Sequence, residues 1–267
     1  MPNIGGPDMK AHRLHARIIN SVALYGAPVW AETLAASRPL CAIKRRAQGT
    51  VAVRAIRAYR TISHVVATAL ADMPPLELLA LMYRHMYDKK KQLQRNLRDD
   101  ESHAGALKRS RHQSRLLLLQ RWDRRLATAK YGRRSVKAVQ PCLAEWIGRE
   151  SGTLTFRVTQ LLTGHGCFGE YLCRIGKERT TQCHHCGADH DSAQHTLQDC
   201  PAWAAERGVV IREVGPELSL PNIVSKMLQS ERKLDTFTEF CETVMKEKEE
   251  AEEIRQQAEG RERTQRR

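Results

Sequence analysis

The sequence predicts a mainly α fold: a helical bundle, then a small cysteine- and histidine-rich module, then a charged helical tail. Three observations carry that expectation. Apolar residues return every three or four positions through one segment after another, which is the period of an amphipathic helix. Alternation of apolar and polar residues, the mark of a half-buried strand, is nearly absent. The periodic segments follow one another with short breaks, several of them at glycine or proline.

Taken in order, residues 2–7, "PNIGGP", are turn material. Leu14, Ile18, Val22 and Tyr25 then recur at helical spacing, with Arg13 and Arg17 turned elsewhere, until Gly26 and Pro28 end or kink the helix. A second helical pattern covers Ser37 to about Ala58, with Leu40, Ile43, Ala47 and Val51 as its expected apolar face and "KRR" on another. "YRTISHVVATAL" offers Thr61 or Ser63 as an N-cap. "MPPLELLALMYRHMYDKKKQLQRNL" reads as a helix whose prolines sit in the first turn, where a missing N–H does no harm.

From Arg84 to Arg134 the composition shifts to sixteen Lys or Arg against five Asp or Glu. "LKRSRHQSRLLLLQRWDRRL" nonetheless keeps Leu116, Leu119, Trp122 and Leu126 at helical spacing, so it predicts a basic amphipathic helix. Residues 141–163 hold two short helical patterns separated at "ESGT", the second capped by Thr153 or Thr155. "GHGCFGEYL" is punctuated by glycine and predicts a compact turn. "PELSLPNIVSKML" and "KLDTFTEFCETVMKEKEEAEEIRQQ" predict two more helices, with Glu242–Lys246, Glu259–Arg263 and Glu262–Arg266 as i,i+4 ion pairs. The last twenty residues have almost no apolar face and predict a solvated, fraying helix. The expected divisions are residues 1–95, 96–150, 151–210 and 211–267.

Forty-four Lys and Arg against thirty Asp and Glu give a formal charge of +14. That excess favours a polyanionic partner: nucleic acid first, an anionic membrane surface second, against the plain alternative of a soluble basic protein. The most apolar run, "HVVATALADMPPLELLALMY", is interrupted by Asp72 and Pro74-Pro75, so no membrane span is expected. "MPNIGGPDMKAHRLHARIIN" lacks the plan of a secretory signal. The eight cysteines are therefore expected as reduced thiols or metal ligands. Aromatics at 5% argue against a nucleic-acid module built on stacking platforms, and contact through phosphates is the expectation. Along the basic helix the expected contacts are Lys108, Arg109, Arg111, Arg115, Arg121, Arg124 and Arg125; the alternative is a solvated face behind a packed Leu stripe.

The chemistry concentrates in "TQCHHCGADHDSAQHTLQDCPAW", residues 181–203. Cys183 and Cys186 form a C-x-x-C turn, and Gly187 supplies the backbone freedom such a turn requires. His195 and Cys200 complete C-x2-C-x8-H-x4-C. Three thiolates and one imidazole close a tetrahedral shell, the donor set of a structural Zn2+ with no open position. Such an ion contributes roughly 10 kcal/mol or more to folding a module with little core. A thioredoxin-like pair would need a preceding strand. A zinc deaminase would need His-x-Glu and Pro-Cys-x-x-Cys. Neither is present. His184, His185 and His190 are alternative ligands, but His195 is better separated from the C-x-x-C turn to close the loop.

"RIINSVALYGAPVW", "AYRTIS" and "MPPLELLA" resemble the segment that follows the polymerase palm in non-LTR retrotransposon reverse transcriptases. "LTFRVTQLLTGHGCFGEYLCRIG", "CHHCGADHDSAQHTLQDCPAW" and "FCETVMKEKEEAEE" resemble the carboxyl-terminal part of the type-1 elements that insert into arthropod ribosomal RNA genes. The resemblance runs from about Pro2 to about Glu253. It implies a retrovirus-related Pol polyprotein, an RNA-directed DNA polymerase and endonuclease that copies element RNA from a nick in target DNA. It further implies a thumb-like region over residues 1–95, a basic connection, and a zinc knuckle whose CCHC motif is Cys183, Cys186, His195 and Cys200. The partners implied are element RNA, target DNA and the upstream polymerase palm, met in the nucleus after cytoplasmic synthesis.

The sequence departs from that pattern in two respects. A polymerase needs a Tyr/Phe-x-Asp-Asp turn to hold two metal ions, and the only adjacent aspartates, Asp99-Asp100 in "NLRDDESH", lack flanking apolar strand residues. They read as the polar end of a helix. Endonuclease motifs are likewise missing. The expectation is a fragment that begins after the palm, with Met1 an internal methionine, no catalytic residue of its own, and Mg2+ needed only by the absent polymerase and endonuclease parts. Two rival readings are a freestanding zinc-dependent DNA-binding regulator and an interaction scaffold that uses the charged C-terminal helix.

Overall fold

The computed structural model describes residues 9–95, 100–149 and 154–265. Over those residues the protein is built of thirteen α-helices with short 3-10 and π turns and no strand, as the periodicity predicts. It divides into two compact units. Residues 9–56 and 63–148 form the N-terminal unit; residues 57–62, 149 and 154–265 form the C-terminal unit. The expected turn at residues 2–7 lies outside the described residues, as do Asp99 and Thr153.

The N-terminal unit contains α1 (Met9–Ala23), α2 (Ala27–Ala36), α3 (Arg38–Ala55), α4 (His64–Leu70), α5 (Leu76–Arg95), α6 (Asp100–Ala127), α7 (Arg133–Val139) and α8 (Leu143–Gly148). Its breaks fall where local chemistry puts them. Gly26 turns the chain ahead of Pro28 in the first turn of α2. Ser37 and Ser63 cap α3 and α4 through their side chains, while Thr61, the other candidate cap, is used elsewhere. The start of α5 is completed from a distance. Gln48, buried in α3, donates from Nε2 to the Pro74 carbonyl and accepts the Leu76 N–H at Oε1. Beside it Glu77, 1% exposed, takes Arg45 of α3 and Arg125 of α6 on one carboxylate oxygen. Trp146 of α8 is buried and donates its indole N–H to the Ala69 carbonyl of α4 at 3.0 Å.

Three of the expected apolar faces are corrected here. On α1 and in the turn after it, Leu14, Ile18, Val22 and Tyr25 all point to solvent, and Ala16 is the buried residue of the helix. On α3, Leu40, Ile43 and Ala47 are exposed and Val51 half-buried, while Cys41, Gln48, Ala52 and Ala55 face inward. On α6 the line is Ser114, Leu118, Trp122 and Leu126; Leu116 is exposed and Leu119 half-buried. The reason is common to the first two. Small side chains let helices approach closely and gain dispersion contacts along the backbone, so the Ala, Gly and Cys side outcompetes the bulkier one. A Cβ on Gly49 would come within 2.2 Å of the His64 ring, which shows how closely α3 meets the start of α4. Ala27, Ala31 and Ala80 make a similar seam between α2 and α5. On α6, an unbroken i,i+4 line running back from Trp122 selects Leu118.

The C-terminal unit contains α9 (Phe156–Thr163), α10 (Gly169–Arg174), α11 (Ala204–Val214), α12 (Leu220–Gln229) and α13 (Glu231–Gln265). Thr155 caps α9, and the glycine-rich "GHGCFGEYL" closes α9 and opens α10. The long helix α13 is the spine against which α9, α11 and α12 pack. Its buried seam is Phe237, Phe240, Cys241, Val244, Met245, Lys248 and Glu252, a helical stripe whose last two members carry charge. The expected Glu242–Lys246 pair is replaced. Glu242 is taken by Arg157 at 2.8 Å and by the Thr155 hydroxyl, both on the α9 side, and Lys246 lies 3.9 Å from Glu250. The side chains of the other two expected pairs, Glu259–Arg263 and Glu262–Arg266, lie outside the described residues. Among the described residues no helix is long and apolar enough to cross a membrane.

Candidate metal centre and the basic helix

Cys183, Cys186, His195 and Cys200 converge so that one ligand atom from each lies within 4.8 Å of the others. Local backbone chemistry explains the convergence. The Gly187 N–H donates to the Cys183 carbonyl and the Cys183 N–H to the Ala188 carbonyl, closing a tight turn. That turn needs φ = +77° at Gly187, a conformation glycine adopts without steric cost. On the other side, Ser192 accepts the His195 N–H, starting a turn that ends π-helically over His195–Asp199. The Cys200 N–H returns to the His195 carbonyl, so the x4 spacing is spanned by an i→i+5 turn that presents both side chains to one point. Arg207 of α11 donates to the carbonyls of Leu197 and Cys200, holding that turn from behind.

The distances suit a small tetrahedral ion. Cys183 and Cys200 sulfurs are 3.9 Å apart, and Cys186 Sγ lies 3.3 Å from His195 Nε2. With Zn–S bonds of about 2.3 Å, a tetrahedral shell sets its sulfurs about 3.8 Å apart. Burial pushes the thiols of Cys183 and Cys200 upward, the latter to about 12. Burial pushes Cys186 the same way, but the Ala188 N–H and the thiols of Cys183 and Cys200 outweigh it and hold Cys186 below its ordinary value. Such a cluster cannot gather three thiolates without a cation, and a divalent ion supplies the charge that deprotonates them. All four donors are protein side chains, so an ion held by them would have no open position, the arrangement of a structural site. His184, His185 and His190 lie outside the cluster. His184 faces Glu178, His190 faces Glu170, and the His185 ring packs at 4.8 Å from Trp203.

Two residues that the Cys/His spacing does not reveal anchor the loop. Asp191, between Cys186 and His195, is buried, and its carboxylate accepts from Lys248 Nζ at 2.9 and 3.0 Å, from the Gly169 N–H at 2.9 Å and from the Thr196 hydroxyl at 3.3 Å. Lys248 reaches it from α13, 1% exposed at the side chain, with its ammonium also over the Phe168 ring. A Cβ at Gly169 would meet the Thr181 carbonyl at 2.6 Å, so α10 starts directly against the chain entering the knuckle. Ala193 of the loop packs with Phe168, Tyr171, Leu172 and Met245. One sequence signal pointed this way: a lysine placed in register on an apolar helical seam needs a buried acidic partner.

On α6, Lys108, Arg109, Arg111, Arg115, Arg121 and Arg124 are exposed. Arg125 is partly covered and committed to Glu77, which leaves it poorly placed for phosphate. The cations do not form one stripe. Lys108, Arg111 and Arg115, at i, i+3 and i+7, share one flank of the buried line, and Arg121 and Arg124 share the other.

No protein-family model matches the chain, and no solved structure matches it significantly. Curated relatives do. The chain is 28% identical over 231 residues, 83% of its length, to a 115 kDa protein in the type-1 retrotransposable element R1DM of Drosophila melanogaster. It is 29% identical over 97 residues, 36% of its length, to the retrovirus-related Pol polyprotein from type-1 retrotransposable element R1 4 of Nasonia vitripennis. The matches span 22% and 23% of those proteins' own lengths. Over about four fifths of its residues, then, this chain is a distant homologue of proteins that type-1 retrotransposable elements encode.

Proposed function

We propose that the chain is the nucleic-acid-binding, carboxyl-terminal part of a retrotransposon Pol polyprotein whose parent nicks target DNA and copies element RNA from the nick. In this reading it positions element RNA and target DNA through phosphate contacts. The Cys183, Cys186, His195 and Cys200 centre holds Zn2+ as a structural ion, which supplies only a fixed fold. Polymerase and endonuclease chemistry, with its Mg2+, belongs to other parts of the parent. The observation that carries the reading is the exposure of six cations along α6 in a chain of net charge +14 with type-1 element relatives.

The test is the salt dependence of binding to short RNA and DNA. Each phosphate neutralised contributes about 0.7 to 0.9 to the slope of log affinity against log salt. Replacing Lys108, Arg111 and Arg115 by Gln lowers that slope by about two to three. A flat response in the unaltered protein would reject the reading in favour of an interaction scaffold.

A second surface favours an additional partner. Leu14, Ile18 and Val22 on α1 and Leu40 and Ile43 on α3 are exposed apolar side chains, and apolar side chains left exposed together on one helix face mark interaction sites. The occupant we propose is the polymerase region of the same polyprotein. Ile18→Glu with Ile43→Glu abolishes association with that region supplied as a separate polypeptide; undiminished association would remove the assignment.

A further inference from the structure

We propose that a groove in the N-terminal unit, walled by α1, the following turn, α5 and α6, is a seat for single-stranded nucleic acid. The inference rests on the nucleic-acid reading above and adds a site, apart from the metal centre, that shares Arg111 alone with the expected α6 contacts. The groove encloses about 760 Å³, room for a group of small-molecule size. Its walls carry three cations, Arg17, Lys90 and Arg111, and three tyrosines, Tyr25, Tyr83 and Tyr87, with no carboxylate among the lining residues.

The helical register explains why these side chains share a wall. Tyr83, Tyr87 and Lys90 stand at i, i+4 and i+7 on α5. The nearby acid of α5, Asp88, is taken by Arg84 at 2.8 Å, so it does not neutralise the groove. None of the three lining cations is paired with a carboxylate among the described residues. The tyrosines are open to solvent. Tyr25 is 89% exposed and Tyr87 51%, while the Tyr25 carbonyl is fixed by the indole N–H of Trp30 at 3.0 Å. A backbone held in place with its aromatic ring left in water is a poor packing solution and a good platform. Ser110 also lines the groove, and its buried hydroxyl has no hydrogen-bond partner among the described residues.

Cations interleaved with accessible aromatic rings are what a single strand requires. The cations follow the phosphates, and unpaired bases stack on the rings. In a duplex the base faces are already stacked on one another, so tyrosines gain nothing from it. An acidic polypeptide would satisfy the cations but leave the rings unused.

The experiment is fluorescence anisotropy of the full zinc-loaded chain with a labelled oligouridine, the matching oligothymidine and a duplex of equal length. Tyr83→Leu with Tyr87→Leu, which keeps apolar bulk, weakens single-strand binding by about 5- to 100-fold for each base that loses its stack, and the corresponding Phe pair restores it. The Arg17→Gln, Lys90→Gln, Arg111→Gln variant lowers the single-strand salt slope by about two. Unchanged circular dichroism establishes that the variants fold, and the oligouridine and oligothymidine arms identify RNA or DNA as the occupant. Leucine variants that bind like the unaltered protein overturn the groove while leaving nucleic-acid binding elsewhere intact. Equal losses for duplex and single strand, or displacement of the probe by polyglutamate at matched charge, overturn the choice of a single strand. Absence of all binding by the unaltered chain overturns both this inference and the reading it rests on.

Discussion

The two units solve the same problem, holding short helices together, by different means. The N-terminal unit packs small residues. Ala27, Ala31, Gly49, Ala52 and Ala80 let helices approach closely, and bulkier Leu14, Ile18, Leu40 and Ile43 are left outside. Each unit carries a buried ion pair, Glu77 with Arg45 and Arg125 in the first and Asp191 with Lys248 in the second. Among the described residues, only the C-terminal unit adds four metal-type donors closed across seventeen residues. Close packing distributes stability over many weak contacts. An ion held by four donors would concentrate it at one point. The first unit should therefore yield gradually to substitution and the second abruptly.

The largest effect tests that contrast directly. Cys183→Ser, or removal of Zn2+ with a chelator, costs the C-terminal unit on the order of 10 kcal/mol and leaves the N-terminal helices folded. Calorimetry with a zinc assay reads this as loss of one transition together with the metal. Equal loss from both units would break the comparison. Next comes Lys248→Met. It strands the Asp191 carboxylate in the interior, and urea denaturation should show a loss of about 3 to 5 kcal/mol. Adding Asp191→Asn should recover much of it, since the penalty is the unpaired charge rather than the missing contact.

Smaller effects sharpen the other side. Gly49→Ala forces a methyl into His64 and should cost the N-terminal unit about 1 to 3 kcal/mol, partly relieved by His64→Ala. Ile43→Ala, on the outward face of the same helix, should fall within about 0.5 kcal/mol of the unaltered protein. The smallest effect is pH-dependent. His165 Nδ1 and the Tyr171 hydroxyl both hydrogen-bond the Thr61 hydroxyl, at 3.1 and 2.8 Å, and burial followed by the nearby Arg174 lowers the His165 pKa from 6.5 to about 4. The unfolded chain therefore binds the extra proton first, and stability present above about pH 6.5 drains away as pH falls toward 4. The Tm advantage of the native protein over His165→Phe should narrow across that window. A gap constant with pH would remove His165 from the account.

The comparison also separates what is legible in one dimension from what is not. Helical identity was legible for the longer segments, because period and capping are local: Ser63, Thr155 and the Gly26-x-Pro28 break act within a turn of where they stand, whereas the short α2, α7, α10 and α11 were not foreseen. The convergence of Cys183, Cys186, His195 and Cys200 was legible because four donors of that type at C-x2-C-x8-H-x4-C leave few other geometries. The choice of buried face was not. On α1 and α3 two stripes compete, one bulky and one small, and only the neighbouring helices decide which is covered.

The sequence by itself determined the α-helical class, the breaks between the longer helices, the four converging donors and the cationic character of α6. Only the tertiary structure decided that Arg125 neutralises Glu77, that Lys248 is the partner of the knuckle's Asp191, and that Tyr83, Tyr87, Lys90 and Arg111 share a wall with Arg17. The physical reason is range. Backbone periodicity, caps and ligand spacing are set by neighbours along the chain, whereas the cost of burying a charge is met by whatever partner the packing of distant helices brings within hydrogen-bond reach.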